Sequence, residues 1–144
     1  MVSHNLQLLY TLLCDDVRIE MGNKISLMGI FQNIMVEKLP VSLIKFAVIN
    51  HWRGEGSHQT EVRIVSPDKQ NLVVTSQPTS IELAPGGYTD NVSFFVNVVF
   101  SSAGTYWIQT LADAQVLDEL PLIVTDAANA SAAQGAEIIT ETVN

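Results

Sequence analysis

Five candidates carry side chains whose types and spacing could do chemistry. Asp15 and Asp16 are adjacent, with Arg18 two positions on. Neighbouring carboxylates repel unless a cation, a backbone N–H cluster or a bound ligand neutralises them. Arg18 or backbone donors suffice for that, so a structural pair is expected ahead of a ligand site. His51 and His58 flank Glu55, a conceivable metal site. Yet no Cys-x2-Cys or His-Glu-x-x-His spacing is present, and exposed polar residues around a hairpin are expected instead. Asp15, Asp16, Asp113 and Asp118 fall at predicted strand ends, where a C2-like sandwich would gather loop carboxylates around calcium. Scattered acids in an acidic chain are more simply a solvated surface, so no metal or other cofactor is expected.

Nucleophilic chemistry has little to work with. Cys14 is the single cysteine and lies in an apolar run, where a free thiol behaves as a small buried hydrophobe. There is no Gly-x-Ser-x-Gly elbow and no glycine-rich phosphate loop; Gly54-Glu55-Gly56 and Gly86-Gly87 read as turn glycines. An enzyme is therefore not expected. Trp52, Tyr88, Tyr106 and Trp107 could stack a sugar or a peptide. Tyr106 and Trp107 are consecutive and point to opposite faces of a strand, which makes Trp107 the aromatic to test for binding. The other three are expected in the core.

The elements that must position these residues are strands. Val92, Phe94, Val96, Val98 and Phe100 alternate with mostly polar neighbours, which predicts a half-buried strand with those five on the core face. Ser101–Gly104 is a turn, and strands return over Thr105–Leu111 and Leu120–Val124. Upstream, Leu6–Cys14 is apolar on both faces and is predicted to end at Asp15-Asp16. Ile25–Phe31 follows a Met21–Lys24 turn, with Gly29 suggesting a bulge. Ile34–Val36 is short. Leu43–Trp52 carries Ile44, Phe46, Val48 and Trp52 on one face. Glu61–Val65, Leu72–Thr75 and Ile81–Leu83 complete the set, with turns predicted at Arg53–Ser57, Pro67–Asn71 and Ala84–Gly87. Turn signals every 8–12 residues predict an all-β, immunoglobulin-like antiparallel β-sandwich of seven to nine strands.

At 144 residues the chain fits one domain, expected over residues 1–125. Residues 126–144 are rich in Ala, Ser, Asn and Gln and are expected to form a mobile tail, with Ile138, Ile139 and Val143 as a possible docking segment. Only 15% of residues are charged, and the net charge is −8. Seven basic residues give no stripe for nucleic acid and disfavour anionic membranes. No apolar run is long enough to span a bilayer, and no signal-peptide pattern opens the sequence, so a cytoplasmic location is expected. A charge share well below the usual ~25% suggests apolar surface covered by a partner or a second copy.

The run Leu13-Cys14-Asp15-Asp16-Val17-Arg18-Ile19-Glu20-Met21-Gly22-Asn23-Lys24-Ile25-Ser26-Leu27-Met28-Gly29-Ile30-Phe31 resembles the opening of DUF6941, a bacterial family of uncharacterised proteins. Leu39-Pro40, Gly56-x-His58, Ser66-Pro67-Asp68 and Gly104-x-Tyr106 add to the likeness, which covers about residues 6–124. The resemblance implies a compact β-sandwich and supplies no catalytic residues. The expected function is non-enzymatic: a binding or assembly module acting through protein–protein contacts or self-association. The alternative is a ligand-binding sandwich, C2-like with calcium or carbohydrate-binding through Trp107.

Overall fold

The structure, a computed structural model, describes residues 5–129. Its strands are β1 (Leu6–Ile19), β2 (Ile25–Phe31), β3 (Asn33–Val36), β4 (Val41–Val65), β5 (Leu72–Thr75), β6 (Thr79–Phe100), β7 (Gly104–Ala112) and β8 (Gln115–Asp126). They form one hydrogen-bonded sheet in the order β2-β1-β4-β7-β8-β3, with β5 and β6 also paired to β4. The all-β class holds. The sheet is mixed rather than purely antiparallel, because β3 and β8 run parallel. It is also one curled half-barrel instead of two separate sheets.

The length of β4 explains the curl. One edge of β4 carries β1 over Ala47–Gly54 and then β7 over Thr60–Val65. The other edge carries β6 as far as Thr60 and then β5. Between these halves the strand creases. Gly54 pairs with Gly87 but Gly56 pairs with Leu83, and Gly56 and Gly86 have φ of 90° and 72°. A Cβ at Gly54 would occupy the position of the Asn5 carbonyl oxygen, which accepts a 2.8 Å hydrogen bond from the Glu55 N–H. The two glycine clusters predicted as turns thus face each other inside one long hairpin. Glycine ends a strand or bends it, and only the pairing partner decides which.

A second irregularity splits the predicted core face: Val98 and Phe100 are buried as expected, and the part before the bulge is inverted. Phe95, Val98 and Phe100 are buried, whereas Phe94 and Val96 are exposed. Ile44, expected in the core, is 79% exposed. Pairing runs Leu43↔Val98 and Lys45↔Val96 on either side of Ile44 and Asn97, and Asn97 has φ 52°. One residue swings out of each strand at the same level, so register survives while burial parity flips. Asp15 and Gly29 (φ 71°) break the β1/β2 alternation in the same way, and β1 continues through the acidic pair to Ile19.

Inside the curl, Leu13, Phe46, Val48 and Phe95 pack against Val62, Ile64, Tyr106, Ile108, Leu122 and Val124. Trp52 centres a second cluster with Leu6, Ile81, Leu83 and Ala112. The buried Asn50 amide bridges the halves, donating to Thr11 Oγ1 and Thr110 Oγ1 at 3.0 Å each. Buried amides need such partners, which fixes how the halves face.

Gly54→Ala should destabilise by about 1–3 kcal/mol, since backbone must give way to backbone. Gly86→Ala meets nothing within 4 Å and should cost only the roughly 1 kcal/mol of a left-handed conformation. Urea unfolding of both variants checks the order; equal losses would mean that the contact at Asn5 does not hold the crease.

Candidate functional site

Cross-strand pairing assembles a face on the outside of the curl. Partners opposite one another share a side of the sheet. One row reads Ile30, Cys14, Ala47, Phe94; the next Leu12, Ile49, Val92; the next Tyr10, His51, Asp90. The end of the β1/β2 hairpin packs Val17, Ile25 and Leu27 over Cys14, Ala47 and Ile49, which are fully buried. Beyond that cover, Phe94 and Val96 carry the apolar band into solvent at 50% and 61% exposure. Lys45 borders it, with its ammonium 5.6 Å from the Phe94 ring centre and 3.0 Å from Asp16.

The opposite border is aromatic. His51 stacks between Tyr10 and Tyr88, with ring centres 4.8 and 5.6 Å away, and Arg53 lies over Tyr88 at 5.5 Å. Asp90 meets His51 Nδ1 at 2.6 Å. Both tyrosines are exposed. Nothing in sequence spacing flags this ladder, because its members sit on β1, β4 and β6 and meet only through register.

The predicted site residues scatter. Asp16 is satisfied by Lys45, not chiefly by Arg18, and by the Val17 N–H at 2.9 Å. The Lys45 bond, then the Val17 N–H, holds its carboxyl below the usual range. Asp15 is exposed, its carboxylate over Gly29. Arg18 is exposed and pairs in the ladder with Ser26. Cys14 donates weakly to the Asp16 carbonyl at 3.2 Å, and burial pushes its thiol pKa up. Trp107 is half-buried between Val65 and Pro121, and the Lys69 ammonium stands 4.6 Å over its ring. Lys69 in turn bonds Glu119 at 2.8 Å. The Trp107 face is thus already occupied by its own chain.

His58 corrects an expectation directly: it is buried, not exposed around a hairpin. Its Nδ1 lies 2.8 Å from Asp113 Oδ2 and its Nε2 2.8 Å from the Glu55 carbonyl. The Glu55 contribution is backbone, and His51 is engaged elsewhere, so the three do not converge. Asp113 also accepts the Gln59 N–H at 3.0 Å and sits with Ala114 in a tight turn at positive φ. Among the described residues no group of three or more His, Cys, Asp or Glu could hold a metal ion. Asp118 pairs in the ladder with Thr110.

Burial disfavours the charged His58 ring, but the Asp113 carboxylate and the Glu55 carbonyl outweigh it and raise its pKa. The His58 bond and the Gln59 N–H lower that of Asp113. The His58 contribution to stability is therefore full below about pH 6.5 and fades as pH rises through the raised folded value. The Asp113 contribution is lost as pH falls through its depressed value. Urea midpoints between pH 5 and 8.5 should decline toward the alkaline end, and Asp113→Asn should flatten that slope. An unchanged slope in the variant would remove the pair as its cause.

A family model described as "Family of unknown function (DUF6941)" matches residues 9–125. Comparison with curated proteins finds no match. Among solved structures, the Pseudomonas fluorescens alkylpurine DNA glycosylase AlkC, bound to DNA containing an abasic site analog, is similar with TM-score 0.52 and 7% identity over 84% of this chain and 30% of that one. A β-glucosidase from Listeria innocua gives TM-score 0.42 and 9% identity over 81% and 16%. DesR, a β-glucosidase from Streptomyces venezuelae, gives 0.42 and 13% over 60% and 14%. The chain spans less than a third of any of these, and at 7% identity the AlkC likeness concerns the fold alone. Among the described residues no helix is long and apolar enough to cross a membrane.

Proposed function

We propose that this chain, which belongs to the DUF6941 family of unknown function, is a non-enzymatic assembly module working through protein contacts on its outer face. The observation that carries this reading is the apolar band of Phe94 and Val96, bordered by Lys45 with Asp16 on one side and His51 with Asp90 on the other. An apolar centre inside a charged rim is how protein contact surfaces are built. Cys14, enclosed and with a raised pKa, supports a structural thiol rather than a nucleophile. A single free cysteine suits a reducing compartment such as the cytoplasm. The acidic net charge and the absence of a basic stripe argue against nucleic acid as the partner. The curl is read as a variant of the immunoglobulin-like sandwich in which β4 and β6 pass through both layers, a reading supported by the core lying between their halves.

A second reading rests on Tyr10, His51 and Tyr88. Their stacked rings, with both tyrosines exposed, offer flat surface of the kind that binds sugar faces. Tyrosine fluorescence that stays unchanged on titration with a panel of oligosaccharides would discard it.

For the first reading, light scattering should give a mass that rises with concentration above the 15.7 kDa monomer. Val96→Lys should abolish the rise while leaving the unfolding midpoint within about 0.5 kcal/mol of the parent, as expected at an exposed position. A strict monomer at every concentration, with Val96→Lys indistinguishable from the parent, defeats the proposal.

A further inference from the structure

In the half of the curl that carries the outer face, the strands run β2-β1-β4-β6, so β2 and β6 are the margins. Among the described residues β6 pairs only with β4, and β2 only with β1. Edge strands usually discourage pairing by charge, proline, a bulge or shortness. β2, seven residues long, is interrupted at Gly29 with its φ of 71°. β6 pairs with β4 without a break from Gly87 to Val96, up to the bulge at Asn97. Within that run Asn91–Val96 holds no charge and no proline.

A strand that pairs with its own copy across a two-fold axis is antiparallel, and the position of the axis fixes every opposition. With the axis through Phe94, Phe94 faces Phe94 of the second copy and Val92 faces its Val96. Outer-face apolar side chains then meet outer-face apolar side chains. An axis through Ser93 sets Val96 against the Asp90 carboxylate instead. One through Phe95 sets Val92, on the outer face, against Val98, which the bulge turns into the core. Each copy carries a net charge of −8, yet the charges flanking the band are internally engaged, Lys45 with Asp16 and Asp90 with His51. A fully buried aromatic side chain covers about 150–250 Å², so half-exposed Phe94 has on the order of 100 Å² left to cover. With the valines and the backbone edge of both copies the total comes to roughly 1,000 Å² or less, the class of weak, reversible contacts.

We propose that this chain forms a two-fold dimer by antiparallel pairing of β6 with β6 of a second copy, centred on Phe94, which joins two curls into one continuous sheet. The pairing satisfies backbone groups that water otherwise serves, the mode by which strands add to open sheet edges. This dimer rests on the contact-surface reading of the outer face and specifies its partner, a second copy, and its contact, a strand edge.

Cysteine substitution tests the register. Directly opposed residues of an antiparallel pair have Cα atoms about 4.5–5.5 Å apart, within disulfide reach. Val92→Cys mixed with Val96→Cys should therefore give a disulfide-linked dimer under mild oxidation, on the order of tenfold more than either variant alone, whose identical thiols lie about 13 Å apart along the strands. Cys14 is fully buried and does not compete. Hydrogen exchange gives a second readout: the outward-pointing amides of Asn91–Val96 should exchange on the order of tenfold more slowly in concentrated protein than on dilution, and Val96→Lys should remove the difference. No excess of cross-link in the mixture, or exchange at these amides that ignores concentration, overturns the edge dimer. If that happens while the mass still rises with concentration and Val96→Lys still abolishes the rise, the outer face associates in another geometry and the contact-surface reading stands. A strict monomer overturns both.

Discussion

The structure depends on one close approach: the Asn5 carbonyl sits where position 54 would otherwise carry a side chain. Because glycine stands there, the start of β1 can lie against β4 and hydrogen-bond to Glu55. The crease that follows lets one 25-residue strand serve two halves of a curl. From it comes the placement of β1 and β7 on one edge, and of β6 and β5 on the other. The inner core and the Asn50 bridge then close because the halves already face each other. Side-chain volume fills this space, but backbone contact shapes it.

Most strands were legible in the sequence. Ile25–Phe31 and Leu72–Thr75 coincide with β2 and β5, and the late run Thr105–Leu111 lies within β7. What periodicity could not supply was continuity. Leu43–Trp52 and Glu61–Val65 are one strand, as are Ile81–Leu83 and Val92–Phe100, because the glycines between them bend the chain without ending its pairing. Phe94 and Val96 were misread for a related reason, while Val98 and Phe100 are core as expected: a paired bulge at Ile44 and Asn97 inverts parity and leaves no mark in hydrophobicity. Of the candidate site, Asp16 was legible as a charge needing a partner, but Lys45 is 29 positions away. The Tyr10–His51–Tyr88 ladder and the burial of His58 exist only through register. Nothing local encodes either.

The same geometry separates two kinds of surface. Titratable groups that looked available are occupied: His58 with Asp113 and Asp16 with Lys45. Beside these pairs, Phe94 and Val96 stand exposed on the outer face.

The parallel pairing of β3 with β8 carries a consequence for how the chain comes into being. Asn33 meets Ile123 and Val36 meets Asp126, and among the described residues β3 has no other neighbour in the sheet. Translation delivers β3 early and β8 last, so Ile34, buried in the finished molecule, has no strand to pair with until nearly the whole domain has left the ribosome. The fold cannot be completed piecemeal from its N-terminus. During synthesis the early strands must persist as an open apolar surface, the condition under which nascent chains rely on chaperones.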